Sequence, residues 1–172
     1  VTTSTTTVAS EKVLMGGIRQ TRLTLTAFSL GNGGDAAALG IGAKVYTFPT
    51  GNHMILDSMA FGTFTPAVLY TNVLDAGIGT VVAAGVVSVL GGTATFENFI
   101  GGTASAALSP TGGAWAATTN SVIASGGNPH FLVTTAGVHD IFLNAAGTWT
   151  DVAAAGAVTF TGTIVINWAP LA

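Results

Sequence analysis

The sequence predicts an all-β protein, an antiparallel β-sandwich. Two observations lead there. Seven or eight segments of strand-like composition recur along the chain, separated by Gly-, Pro- and Asn-bearing turns, with almost nothing of helical period. The longest uncharged stretch, Ala76–Phe96, is rich in Gly and Val rather than Leu, and β-branched side chains are stiff in helices but pack well on a pleated sheet. With 172 residues, 49% of them hydrophobic, the chain is long enough for one domain with a substantial core.

The elements follow in order. Residues 1–20 begin as a Thr-rich polar run and continue as "EKVLMGGIRQ", which reads as an extended N-terminal arm; residues 21–172 read as a single sandwich domain. The alternative for Val13–Ile18 is an edge strand of the chain's own sandwich. "TRLTLTAFSL" (21–30) alternates, with Leu23, Leu25 and Ala27 on one side and Arg22, Thr24 and Thr26 on the other. "GGDAAALGIG" (33–42) has room for one helical turn. "AKVYTF" (43–48) is a strand that ends at "PTGN", a turn, and "HMILDSMAFGTF" (53–64) is the next.

Ala76–Phe96 spans 21 residues without one charged side chain, which is the length of a transmembrane helix. Its glycines and valines argue instead for a strand over Gly79–Leu90, a turn at Gly91-Gly92 and a second strand over Thr93–Ile100. Because Ser88 is the only polar side chain between Val81 and Leu90, both faces of the first of these strands are expected to be buried. Residues 101–128 read as a long loop of the kind that packs on a neighbour or carries function. "PHFLVTT" (129–135) and "HDIFLNAA" (139–146) are shorter strands. "AVTFTGTIVINW" (157–168) alternates most cleanly: Val158, Phe160, Ile164 and Ile166 face one way, with Trp168 beyond them, and Thr159, Thr161, Thr163 and Asn167 face the other.

Charge and composition exclude several function classes. Only 6% of the residues are charged, and the net charge is −3. Nucleic-acid binding needs a basic patch that this balance does not favour, and so little charge gives a free monomer little to keep it soluble, so much of the surface should be covered by other protein. The four cations, Lys12, Arg19, Arg22 and Lys44, lie in the first 44 residues. There is no Cys, hence no disulfide and no thiolate metal site. "VTTSTTTVASEK" lacks the basic and apolar regions of a secretory signal.

Catalytic motifs are not found. "GNGGDA" (31–36) resembles a dinucleotide fingerprint with Ala in the last Gly position, but only about eight residues separate it from the next strand, too few for a βαβ crossover. His53, His130 and His139 have no helical ligand spacing, and His139 and Asp140 point to opposite faces of a strand. Asp35, Asp57, Asp75, Glu97, Asp140 and Asp151 are dispersed, and no Gly-x-Ser-x-Gly elbow occurs. No enzymatic activity, cofactor or metal is expected. Trp115, Trp149 and Trp168 are of a type that stacks on sugars or anchors an interface; Trp115 and Trp149 are the candidate interface aromatics.

The blocks "GGDAAALGIGAKVYTFPTG" (33–51), "GTVVAAGVVSVLGGTATFENFIGG" (79–102) and "FLNAAGTW" (142–149) resemble a family of small virion proteins of tailed double-stranded DNA bacteriophages, whose members include structural and capsid decoration (cement) proteins. The resemblance implies a jelly-roll-like sandwich bound to the outside of a capsid assembled in the host cytoplasm, with the major capsid protein as partner and a homotrimer as the self-associated form. It carries no catalytic residues across. The arm residues Lys12, Val13, Leu14, Met15, Ile18, Arg19 and Arg22, polar then apolar then basic, are the candidate partner-binding set: apolar side chains for affinity, cations for orientation. No nucleic-acid or membrane partner is expected. The other function reading is a lectin-like module of a virion appendage, binding carbohydrate or a receptor through loops near Trp115 or Trp149.

Overall fold

The computed structural model describes residues 6–33, 38–67, 73–92, 94–104, 113–118, 131–132, 139–147 and 156–171. Strand β1 (Thr6–Val13) passes through a 3-10 turn, Met15–Gly17, into β2 (Arg19–Gly33). Then come β3 (Gly40–Phe48), β4 (Asn52–Pro66) and β5 (Asp75–Gly79). The remaining strands are β6 (Ile100–Ala104), β7 (Gly113–Thr118), β8 (Phe131–Leu132), β9 (His139–Ala146) and β10 (Gly156–Leu171). The helical segments among the described residues are 3-10 turns of three residues.

One antiparallel sheet runs β1-β2-β10-β4-β7, with β8 also paired to β4; the other runs β3-β9-β5-β6. Without β1 and β8 these are two four-stranded sheets, β2-β10-β4-β7 facing β3-β9-β5-β6, and the chain crosses between sheets after β2, β3, β4 and β6 and again on either side of β9. This is the strand order of a jelly roll. The all-β sandwich expected from alternation is what the chain forms. A single large core joins the sheets: Leu23, Leu25, Phe160 and Ile164 belong to the same buried cluster as Ile41, Ile78, Ile141 and Leu143.

The apolar face of β10 is as the alternation predicts, with Val158, Phe160, Ile164, Ile166 and Trp168 all buried, but Thr163 on the other face is buried as well. In β2 the pattern changes phase. Thr21, Leu23 and Leu25 are buried, then Phe28 and Leu30. The shift occurs at Ala27, whose φ is +48°, where the register of β2 on β10 slips between Phe160 and Gly162. An extra residue in one strand is a β-bulge; it leaves Ala27 half-buried, its amide donating to Thr161 Oγ1 at 3.0 Å. Gly51, with φ +128°, closes the turn between β3 and β4.

Three expectations are corrected. Residues 79–90 are not a strand buried on both faces: β5 ends at Gly79, and Val81, Val82, Val86 and Val89 are exposed, leaving Gly79, Ala83 and Leu90 as the buried residues of the run. The ladder stops because Thr80 and Val81 donate their amides to Thr95 O at 2.9 and 3.2 Å, and because the Thr95–Phe96 backbone crosses so close over Gly79 that no β-carbon fits there. Thr93–Ile100 is not a strand either, since Ala94–Phe96 is a 3-10 turn and pairing begins at Ile100. Finally, the region 101–128, read as a loop, contains most of β6 and all of β7; its residues 105–112 and 119–128 lie outside the described ones.

The segment read as an arm folds onto its own sheet. From Thr6 to Val13 it pairs with β2, in register Thr6↔Thr26 to Val13↔Arg19. Residues 1–5 lie outside the described ones. β1 overhangs the facing sheet, so that Ala9, Ser10, Glu11, Lys12 and Val13 are all exposed whichever face they point from.

Candidate interaction surfaces

The β1–β2 hairpin tip is shaped by two glycines. Gly16 and Gly17 have φ of +77° and +79°, a region that costs other residues steric strain, and Leu14 N donates to Ile18 O at 2.6 Å to close the turn. Met15 is 93% exposed and Val13 66% exposed, while Leu14 and Ile18 are half-buried. The tip therefore presents apolar side chains on a tight, hydrogen-bonded turn.

The cations divide between two faces. Arg19 shares a face with Glu11, to which it is ion-paired at 3.4 Å, and its guanidinium lies 5.3 Å from the centre of the Trp168 ring. An exposed ion pair contributes little to stability, but the stacking holds Arg19 against the sandwich. Lys12 and Arg22 lie on the opposite, outer face, where Lys12 is paired with Gln20, and Arg22 with Ser10 and Val165. Beside them a row of amides crosses the sheet: Gln20 Nε2 donates to Asn167 Oδ1 at 3.1 Å, and Asn167 Nδ2 donates to Asp57 Oδ1 at 2.7 Å. The structure thus puts Lys12 and Arg22 on the outer face of the exposed hairpin, Met15 at its tip, and Val13 on the other face directly opposite Arg19, which packs on Trp168.

A second surface is the β5–β6 loop, and the sequence reading missed the residue that builds it. Asn144 on β9 is fully buried. Its Oδ1 accepts from Ala83 N at 2.9 Å, and its Nδ2 donates to Val81 O at 2.9 Å and Phe96 O at 2.8 Å. One carboxamide replaces the ladder bonds the loop lacks. Asp75 Oδ2 accepts from Leu90 N at 2.7 Å, Asn98 Oδ1 accepts from Thr80 N at 3.0 Å, and Gly85 O accepts from Leu39 N and Gly40 N at 2.8 and 2.9 Å. The signal in the sequence was Asn144 itself, a polar residue inside the apolar run "IFLNAA".

The remaining candidates are structural or lie elsewhere. His53 is buried between Phe48 and Trp168, its Nε2 2.7 Å from Pro49 O. Trp168, fully buried, donates Nε1–H to Thr21 Oγ1 at 2.9 Å and is a core residue. Asp140 accepts from Thr47 Oγ1 at 2.6 Å and lies 3.5 Å from Lys44 Nζ. Trp115 stands on β7 opposite Gly62; Trp149, His130, Asp35 and Asp151 lie outside the described residues. Among the described residues no cluster of three His, Asp or Glu is placed to hold a metal ion, and no helix is long and apolar enough to cross a membrane. Comparison with family models, with curated proteins and with solved structures finds no match to this chain.

Proposed function

We propose that the protein is a structural subunit of a phage virion, docked on the outer surface of the capsid shell as a decoration or cement protein, with the major capsid protein as its partner and a homotrimer as its assembled form. The observation that carries this reading is the overhanging β1–β2 hairpin. A sandwich with a complete core has no folding need to extend a strand past its facing sheet and place Met15 and Val13 in water. A partner surface gives those side chains a place to bury. Val13 and Met15 supply the apolar contact, and Lys12 and Arg22 supply salt-screened attraction to an acidic shell. The resemblance of residues 33–51, 79–102 and 142–149 to small virion proteins supports the same reading.

The test is add-back to particles assembled without this chain. Wild-type protein should sediment with the particles. Met15→Ser combined with Val13→Ser should stay folded and bind about tenfold more weakly, the order expected for loss of a buried apolar anchor. Lys12→Ala with Arg22→Ala should weaken binding most at low salt. Particle binding unchanged by both pairs of substitutions would refute docking through the hairpin.

A further inference from the structure

We infer that the β5–β6 loop is a self-association surface, in which Val86 of one copy seats in the dimple beside Val89 of a second copy of this chain. Exposed valines on a wandering loop would mean little, but this loop is fastened. Asn144 holds Val81 and Ala83, Asp75 holds Leu90, and Gly85 O is tied to Leu39 and Gly40. Its conformation is set before anything binds, so association does not have to supply the ordering entropy.

The shape of the loop identifies the occupant. Gly85, with φ +70°, turns the chain so that Val86 projects 73% exposed, while Val87 turns inward over Gly40. Three residues on, Val89 and Val73 rim an open dimple of about 260 Å³ over buried Leu74 and Ala146. Three residues span at most about 11 Å, so the projecting side chain and the hollow are neighbours on one surface. A symmetry-related copy then meets projection with hollow at every repeat of the contact.

Charge points the same way. Two copies each carrying a net charge of −3 repel one another over most of their surface, but Ala76–Phe96 has no charged residue. Among the described residues that line the dimple, the charged one is Asp75, whose carboxylate already accepts the Leu90 amide. Closing this face against itself therefore desolvates one carboxylate per copy that is already hydrogen-bonded, not a bare one.

The inference deepens the assembly reading above and rests on it for the partner, but it concerns the other end of the sandwich. The loop ties to Gly40, paired with Ala146, whereas the hairpin tip lies by Trp168 and Phe48, where β3 ends. The test uses the purified chain alone, so that it can fail while capsid docking stands, and the reverse. Sedimentation at micromolar concentration should show an oligomer for the wild type. Val86→Asp and Val89→Asp should weaken association tenfold or more with an unchanged far-UV spectrum, and Met59→Ser with Phe61→Ser, on the outer face of the other sheet, should leave it intact. Since the chain has no Cys, a mixture of Val86→Cys and Val89→Cys proteins offers a readout that does not depend on disruption. Oxidation should join unlike copies faster than it joins a Thr24→Cys control. A monomeric wild type, association insensitive to both aspartates, or cross-linking no faster than the control would each overturn the inference.

Discussion

Gly62 on β4 and Gly162 on β10 stand directly opposite one another, with the tip of the Phe160 ring over both. A β-carbon on Gly162 would come within 2.7 Å of Gly62 Cα, and one on Gly62 within 2.8 Å of Gly162 Cα. The strands are close here because neither residue has a side chain, and an aromatic ring covers the bare backbone.

Gly62→Ala or Gly162→Ala should therefore destabilise the fold by ~2–3 kcal/mol, as overpacking against backbone does. Denaturant unfolding followed by tryptophan fluorescence checks this. Thr24→Ser, on the exposed face of β2, should change stability by less than ~0.5 kcal/mol.

Asn144→Ala should cost ~3 kcal/mol or more, because it leaves Ala83 N, Val81 O and Phe96 O without their partner. Amide exchange should show where the cost falls. Ala83 should lose protection well before Leu23 or Ile164, whose strands do not depend on the carboxamide.

Trp168→Phe should cost ~1–3 kcal/mol through the lost bond to Thr21 and the smaller ring. In a double-mutant cycle with Thr21→Val, the two sites should be coupled by ~1 kcal/mol. Additive costs would mean that the indole N–H finds another acceptor.

Alkaline unfolding should involve Tyr46. Burial raises its pKa above the usual 10.0, opposed by its hydrogen bond with Thr21. A phenol that keeps its proton longer in the folded state than in the unfolded one contributes stability that is fully present below pH 10.0 and is lost as pH rises through its folded pKa. Stability should fall above that pH, and Tyr46→Phe should flatten the fall.

Where side chains alternate regularly, the fold was legible in the sequence. β9 coincides with the segment expected from "HDIFLNAA", and the apolar side chains buried along β10 are the ones its pattern implies, although Thr163 of the other face is buried too. Alternation also misled in two places. Ala27 continues the pattern of Leu23 and Leu25 in the sequence, but a bulge, decided by hydrogen bonding to Thr161, changes the phase. "GTVVAAGVVSVL" has strand composition, yet its backbone groups are taken by Thr95 and Asn144, residues distant in sequence. Composition says that such a segment prefers extended backbone; it does not say which partner satisfies it. Composition singled out Lys12, Val13, Met15, Arg19 and Arg22 together, but that Arg19 is held against the core depends on Trp168, 149 positions away and brought alongside by β10.

β10 lies between β2 and β4, which have no pairing with each other. The middle of the larger sheet is thus supplied by residues 156–171, long after its flanks have been synthesised. Until then β2 and β4 each expose an unpaired edge beside apolar side chains, and the contacts that close the sheet run from Val158 with Pro66, 92 positions apart, to Trp168 with Arg19, 149 apart. Such a topology folds slowly, and only once β10 has been made. A ribosome stalled before residue 156 would release a chain prone to aggregate, and chaperone demand should concentrate in that interval.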